Sequence, residues 1–153
     1  RAVVVNCTGL GAGAVCGDER LVPCRGAAVL AWAPWVRAMY DDSERGDGAA
    51  YIIPRGRSGL VVLGGCAQEG ATSTVCSEAE AAGIVRRCTE LLPSLRGARV
   101  VRRWADLRPV REGGVRLEWD AKLGRVLHCY GHGGAGAVCC WGSSLAVVEL
   151  IRE

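Results

Sequence analysis

The sequence predicts an α+β fold built mainly on an antiparallel sheet. Three features carry that expectation. Apolar, β-branched runs bounded by glycine or proline recur along the chain. One central stretch has clear helical periodicity, and an apolar helical stretch closes the chain. The strands, the helix and the further strands segregate instead of alternating regularly, which favours α+β over a parallel α/β sheet. Glycine supplies 22 of 153 residues, about twice its usual share, so tight turns should be frequent.

Taken in order, residues 2–5 read as a central strand with both faces buried. Asn6-Cys7-Thr8-Gly9 and a glycine-rich loop to Gly13 follow. Residues 25–32 form a second strand that Pro34 interrupts, and residues 36–40 a short third. A charged loop leads to the strand 50–54, and the turn 56–59 returns the chain as the strand 59–64, making a hairpin. Residues 77–92 are the clearest helix. Ser77 and Glu80 match a capping box, and Ala81, Ile84, Val85, Cys88, Leu91 and Leu92 repeat at three and four on one face. Pro93 ends it. Strands are expected at 97–107, 115–119 and 125–129. The chain then enters Gly131-His132-Gly133-Gly134-Ala135-Gly136 and a buried helix over residues 137–151.

Half of the residues are hydrophobic and 23% are charged, the balance of a folded domain, and the net charge is only +3. No basic and aromatic interleaving suggests nucleic acid. No apolar run approaches the ~18 residues of a membrane span, and no signal-peptide pattern opens the chain. Nine cysteines without any C-x-x-C spacing argue against a zinc ribbon or a disulfide framework; inert thiols in a reducing compartment are expected. The chain opens on Arg1, not Met, directly in a buried-strand pattern. The expectation is a chain that begins inside a larger protein.

Several residues could carry chemistry. The glycine loop lets backbone approach a flat ligand, then delivers it to a helix N-terminus, where free N–H groups favour negative charge; an ordinary strand-to-helix turn is the alternative. Thr8 and Gly9 stand at the carboxyl end of a strand, where α/β sheets bind ligands. Arg108, pinned by Pro109, can fork onto a carboxylate or form an internal salt bridge with Glu118 or Asp106. Tyr51 can point its hydroxyl into a cavity or be a plain core residue. His132 can act as a base or through its backbone, and His128 reads as structural. No nucleophile elbow, Cys/His pairing or metal cluster is present, so no catalytic acid, base or nucleophile is assigned. Such a site orients a carboxylate and leaves the chemistry to a cofactor.

Val5-Asn6-Cys7-Thr8-Gly9, Tyr51-Ile52-Ile53-Pro54, Leu63-Gly64-Gly65, Leu107-Arg108-Pro109-Val110-Arg111, Val115-Arg116-Leu117-Glu118 and Tyr130-Gly131-His132-Gly133-Gly134 occur in one order. Together they resemble the C-terminal half of the D-amino-acid oxidase and D-aspartate oxidase family, over essentially the whole chain. The resemblance implies an FAD enzyme that oxidises a D-amino acid to an imino acid, which hydrolyses to a 2-oxo acid and ammonia, while oxygen becomes hydrogen peroxide. It implies that Arg108 binds the substrate carboxylate, that Tyr51 donates to it, and that the Gly134 carbonyl meets the amine. Thr8, Gly9, Gly133, Gly134, Ala135, Gly136, Ala137 and Val138 would touch FAD. By the same resemblance, residues 1–24 and 121–153 belong to an incomplete FAD-binding domain and residues 25–120 to a substrate-binding domain.

The βαβ unit with its GxGxxG is missing from these residues. Val138 stands where the family often has a threonine, and Ala135 where members acting on neutral substrates often have tyrosine. The choice between neutral and acidic D-amino acids stays open. The implied partners are substrate and oxygen, with a homodimer in a full-length form and neither nucleic acid nor membrane. The implied setting is intracellular and peroxisomal, although Leu150-Ile151-Arg152-Glu153 is no targeting tripeptide. A non-catalytic remnant that binds no flavin is the competing reading, and a metal-binding cysteine protein the third.

Overall fold

A computed structural model describes residues 2–153; Arg1, the first residue of the opening strand pattern, lies outside them. Nine strands and three α-helices follow the chain among the described residues: β1 (Val4–Asn6), α1 (Ala12–Cys16), β2 (Leu21–Trp32), β3 (Tyr40–Asp42), β4 (Ala50–Pro54), β5 (Leu60–Gly64), β6 (Gln68–Glu69), α2 (Glu78–Leu91), β7 (Arg99–Arg111), β8 (Arg116–Trp119), β9 (Val126–Tyr130) and α3 (Gly136–Arg152). The fold is mixed, with helices and largely antiparallel sheet. One sheet has the order β1-β9-β8; the other runs β3-β4-β5-β2-β6, with β7 also paired to β2.

Two compact units form, residues up to Cys24 with Arg108–Glu153, and Arg25–Leu107. The sequence places its divisions at 24/25 and 120/121; the units divide at 24/25 and 107/108.

In the Arg25–Leu107 unit, alternation decides which side chains are buried. Ala50 and Ile52 of β4 and Val61 and Leu63 of β5 point to one face, joined by Val29 and Ala31 of β2. The expected hairpin is present, with Ile52 opposite Leu63 and Tyr51 opposite Gly64. Ala81, Ile84 and Cys88 of α2 close the core, with Val85 and Leu91 beside them. The N-cap forms as the sequence implies, Glu80 N donating to Ser77 Oγ at 3.1 Å. The Ser77 backbone N–H in turn meets the Glu80 carboxylate, which also pairs with Arg25 through both oxygens, at 2.6 and 2.8 Å. Arg25 is buried and also donates to the Ser73 and Val75 carbonyls and to Gln68 Oε1. The hydrogen bonds from Arg25 hold the Glu80 carboxyl below its usual range, against the effect of burial.

Several expectations are corrected. Residues 36–39 form no strand; the strand here is Tyr40–Asp42, paired to β4. The strand expected at 97–107 continues to Arg111, so Arg108 lies within it. The glycine-rich loop after β1 contains the short helix α1. Among the described residues β1 lies at the edge of its sheet, paired in parallel with β9, and its Val4 is 59% exposed. The closing helix α3 is not buried. None of its residues is fully buried, and Val138 and Trp141 are 87% and 75% exposed. With the preceding turn it gives a 20-residue helical stretch, Gly133–Arg152, of mean hydropathy 1.5, long and apolar enough by length and composition to cross a membrane, where the sequence expectation saw no such run.

Candidate functional site

The residues up to Cys24 and from Arg108 on build the glycine loop and what surrounds it. β1 and β9 run parallel, so both strand ends open at the same edge of the sheet. Thr8 and Gly9 leave β1 there, and Gly131 to Gly136 leave β9. Gly131 and Gly133 have φ of 90° and 56°, backbone that side-chain-bearing residues rarely adopt. Their glycines are also required sterically. A Cβ on Gly131 would stand 2.9 Å from Arg111 Cβ, and one on Gly134 3.3 Å from Arg108 Cδ. The Arg108 stem therefore lies against the Gly134 backbone. Gly9 has φ of 56°, and a Cβ there would meet the Pro109 ring at 3.6 Å.

The loop feeds α3, whose first turn carries no side-chain cap and no acidic residue. Its leading N–H groups and the positive end of the helix dipole are turned toward the loop. Gly134, Ala135, Gly136, Ala137 and Val138 are exposed, and Gly133 is half-buried. Thr8 is exposed, and its hydroxyl donates to Asn6 Oδ1 at 2.7 Å, which leaves its lone pairs for a further partner.

Behind the loop a polar network fixes β9. His128 is fully buried; Asn6 Nδ2 donates to its Nδ1 at 3.1 Å, so its Nε2–H donates to Asp120 at 2.9 Å. Through that bond His128 holds the Asp120 carboxyl well below the usual range. Asp18, also buried, accepts from Arg111 Nε and Tyr130 Oη, each at 2.8 Å. Burial alone would raise the Asp18 pKa, but these bonds outweigh it and hold the group at about 2. Burial and the Cys16 thiol push the Tyr130 hydroxyl in the opposite direction, upward. His128 is thus structural, as its sequence context suggests. His132 is occupied too, its Nε2 2.9 Å from Ser143 Oγ, which ties the loop to α3. Of the two acids considered as partners for Arg108, Glu118 pairs with Arg116 at 2.8 Å.

Tyr51 belongs to the other unit, on β4. Its ring lies over the Gly64-Gly65 backbone; a Cβ on Gly64 would overlap the ring, and one on Gly65 would stand 2.8 Å from its hydroxyl. The two glycines thus make the seat for this tyrosine. The structure brings Arg108, Gly134 and the loop together within one unit, and seats Tyr51 separately in the other.

The buried pair Asp18–Arg111 and the pairing of half-buried Glu80 with buried Arg25 are absent from the sequence reading. Asp18 and Arg111 stand 93 residues apart, so no local spacing signals them. No group of three or more metal-ligating side chains occurs among the described residues, and their nine cysteines are free.

A glycine cradle in which a Cβ would displace neighbours, opening on an uncapped helix N-terminus, fits a flat anionic cofactor. The profile of the DAO family, described as FAD dependent oxidoreductase, matches residues 1–150. The chain belongs to that family. It is 44% identical over 150 residues to a D-amino-acid oxidase of Rubrobacter xylanophilus, covering 97% of this chain and 45% of that protein. It is 40% identical to the human D-aspartate oxidase, covering 99% of this chain and 44% of that one. A glycine oxidase structure from Bacillus cereus superposes with a TM-score of 0.85 at 22% identity, over 98% of this chain and 42% of the other, which shows a shared fold. The chain thus spans about half the length of the curated relatives it matches. The family is one of FAD-dependent flavoproteins, in agreement with the resemblance read from the sequence motifs.

Proposed function

We propose that this chain is part of an FAD-dependent oxidase that deaminates D-amino acids to 2-oxo acids, ammonia and hydrogen peroxide. The observation that carries the proposal is Arg108 lying against Gly134 where the glycine loop meets the uncapped N-terminus of α3. The relatives named D-amino-acid oxidase and D-aspartate oxidase support it.

In this reading the Arg108 guanidinium binds the substrate carboxylate with two parallel hydrogen bonds. Its stem is fixed by the Gly134 backbone, so the fork has a defined direction. The Gly134 carbonyl accepts from the substrate amine, a few ångströms from the arginine stem. Tyr51, carried over by resemblance, donates its hydroxyl to the same carboxylate. Thr8, Gly9 and the stretch from Gly133 to Val138 hold FAD, with the α3 N-terminus stabilising negative charge on it. FAD supplies the two-electron acceptor. Aligning the substrate Cα–H is the work left to the chain, which needs position more than an acid or base. Water then hydrolyses the released imine.

The test is a hybrid in which this chain replaces the carboxy-terminal part of the Rubrobacter xylanophilus enzyme. It should purify yellow and release peroxide from D-amino acids, neutral or acidic. A folded, flavin-loaded hybrid that yields no peroxide from either class would overturn the reading in favour of a non-catalytic remnant.

A further inference from the structure

The parallel pairing of β1 with β9 sets Asn6 beside His128. Their side chains meet on one face, Asn6 Nδ2 lying 3.1 Å from His128 Nδ1. The next residues along are Cys7, just past the end of β1, and Cys129 on β9; continuing the register by one step sets them side by side on the opposite face. Adjacent strands lie about 4.8 Å apart, inside the roughly 4.4–6.8 Å range between Cα atoms that a disulfide spans. The two thiols interact here: Cys129 is pushed up, first by burial and then by the Cys7 thiol. Cys7 is exposed and Cys129 half-buried.

We propose that Cys7 and Cys129 are a peroxide-oxidisable dithiol that closes to a disulfide across β1 and β9, at the foot of the glycine loop. The exposed Cys7 thiolate attacks a peroxide oxygen. An S–O bond forms, the O–O bond breaks, and hydroxide leaves, giving a sulfenic acid. Cys129 then attacks the Cys7 sulfur; S–S forms, S–O breaks and water departs. The two thiols lose two electrons and two protons, and hydrogen peroxide is reduced to two waters. Five of the other cysteines are placed differently. Cys76 and Cys88 are buried. Cys16 donates to the Ala12 carbonyl at 3.0 Å. Cys139 and Cys140 are helix neighbours whose side chains diverge by about 100°. The pair's chemistry does not depend on turnover of an amino acid, because peroxide can be added.

The reduced 153-residue chain is treated with near-stoichiometric hydrogen peroxide, quenched with N-ethylmaleimide under denaturing conditions, and digested for mass spectrometry. The expected result is a mass lower by two hydrogens, loss of two alkylatable thiols, and a cross-linked peptide joining Cys7 to Cys129. Cys129→Ser should leave Cys7 as a sulfenic acid trapped by dimedone. Full alkylation of both residues after peroxide has oxidised other cysteines would overturn the proposal, as would Cys7 cross-linked to a different partner. The wild-type measurement decides the matter even if the variant fails to fold.

Discussion

In the Arg25–Leu107 unit, α2 turns Ala81, Ile84 and Cys88 into a core shared with β2, β4 and β5. In the other unit the longer helix, α3, buries no residue fully. Ser143, Ala146, Val147 and Leu150 are its half-buried stripe, and it touches β8 and β9. Val138, Trp141, Leu145 and Val148 form an exposed apolar stripe on it, which a helix keeps only where something else covers it. The same chain thus contains one unit with a broad apolar core and one in which the buried Leu127 is accompanied by a polar network, Asp18 with Arg111 and Tyr130, and His128 with Asn6 and Asp120. Composition separates the two helices, α2 with charged residues on one side and α3 apolar on most sides, but it does not say which surface either one meets.

The largest effect that sharpens this contrast is expected at the network. Asp18→Asn leaves the Arg111 charge buried without its counter-ion and should cost roughly 3–5 kcal/mol in urea unfolding. The acid limb should change with it. Asp18 is held at about 2, below its ordinary 3.8, so its contribution is complete above about pH 4 and is lost as pH falls toward about 2. The variant should show a flatter acid limb; an unchanged limb would break the claim that this network supports the unit.

Next comes the closed core. Ile84 is 0% exposed, and Ile84→Ala should destabilise the protein by about 2–4 kcal/mol. Hydrogen exchange should find α2, β4 and β5 the best protected segments and α3 among the least. Equal protection of α2 and α3 would erase the distinction.

The smallest stability effect is expected at Val138, 87% exposed. Val138→Ser should shift unfolding by no more than about 0.5 kcal/mol. If the stripe is a sticky surface, the chain should self-associate in sedimentation measurements and the double variant with Trp141→Ser should do so less. Unchanged self-association would mean that the stripe is not the sticky surface.

The parts legible in the sequence were those with a local signal. The β4–β5 hairpin follows from apolar runs flanking a glycine turn, and α2 from its three-four spacing and the Ser77 cap. The glycine loop was legible for the same reason, and the ordered motifs gave the family. Features that depend on distant partners were hidden. Glu80 reads as half of a capping box, and its further pairing with Arg25, 55 residues away, has no local signal. Residues 2–5 read as a strand from Val3, Val4 and Val5, but nothing local gives the parallel pairing of β1 with the distant β9. Gly64 and Gly65 read as the end of a strand; that they seat Tyr51 emerges only when β4 and β5 pair.

The most direct test of the proposed function is kcat/KM for D-amino acids in the flavin-loaded hybrid, with Arg108 intact and replaced. Charge-assisted bonds contribute roughly 1.5–3 kcal/mol each, so Arg108→Ala should lower kcat/KM at least about ten- to hundred-fold. Arg108→Lys should also be poor, because an ammonium cannot reproduce the fork. Near-normal kcat/KM in Arg108→Ala would contradict the assignment of the substrate carboxylate to this arginine.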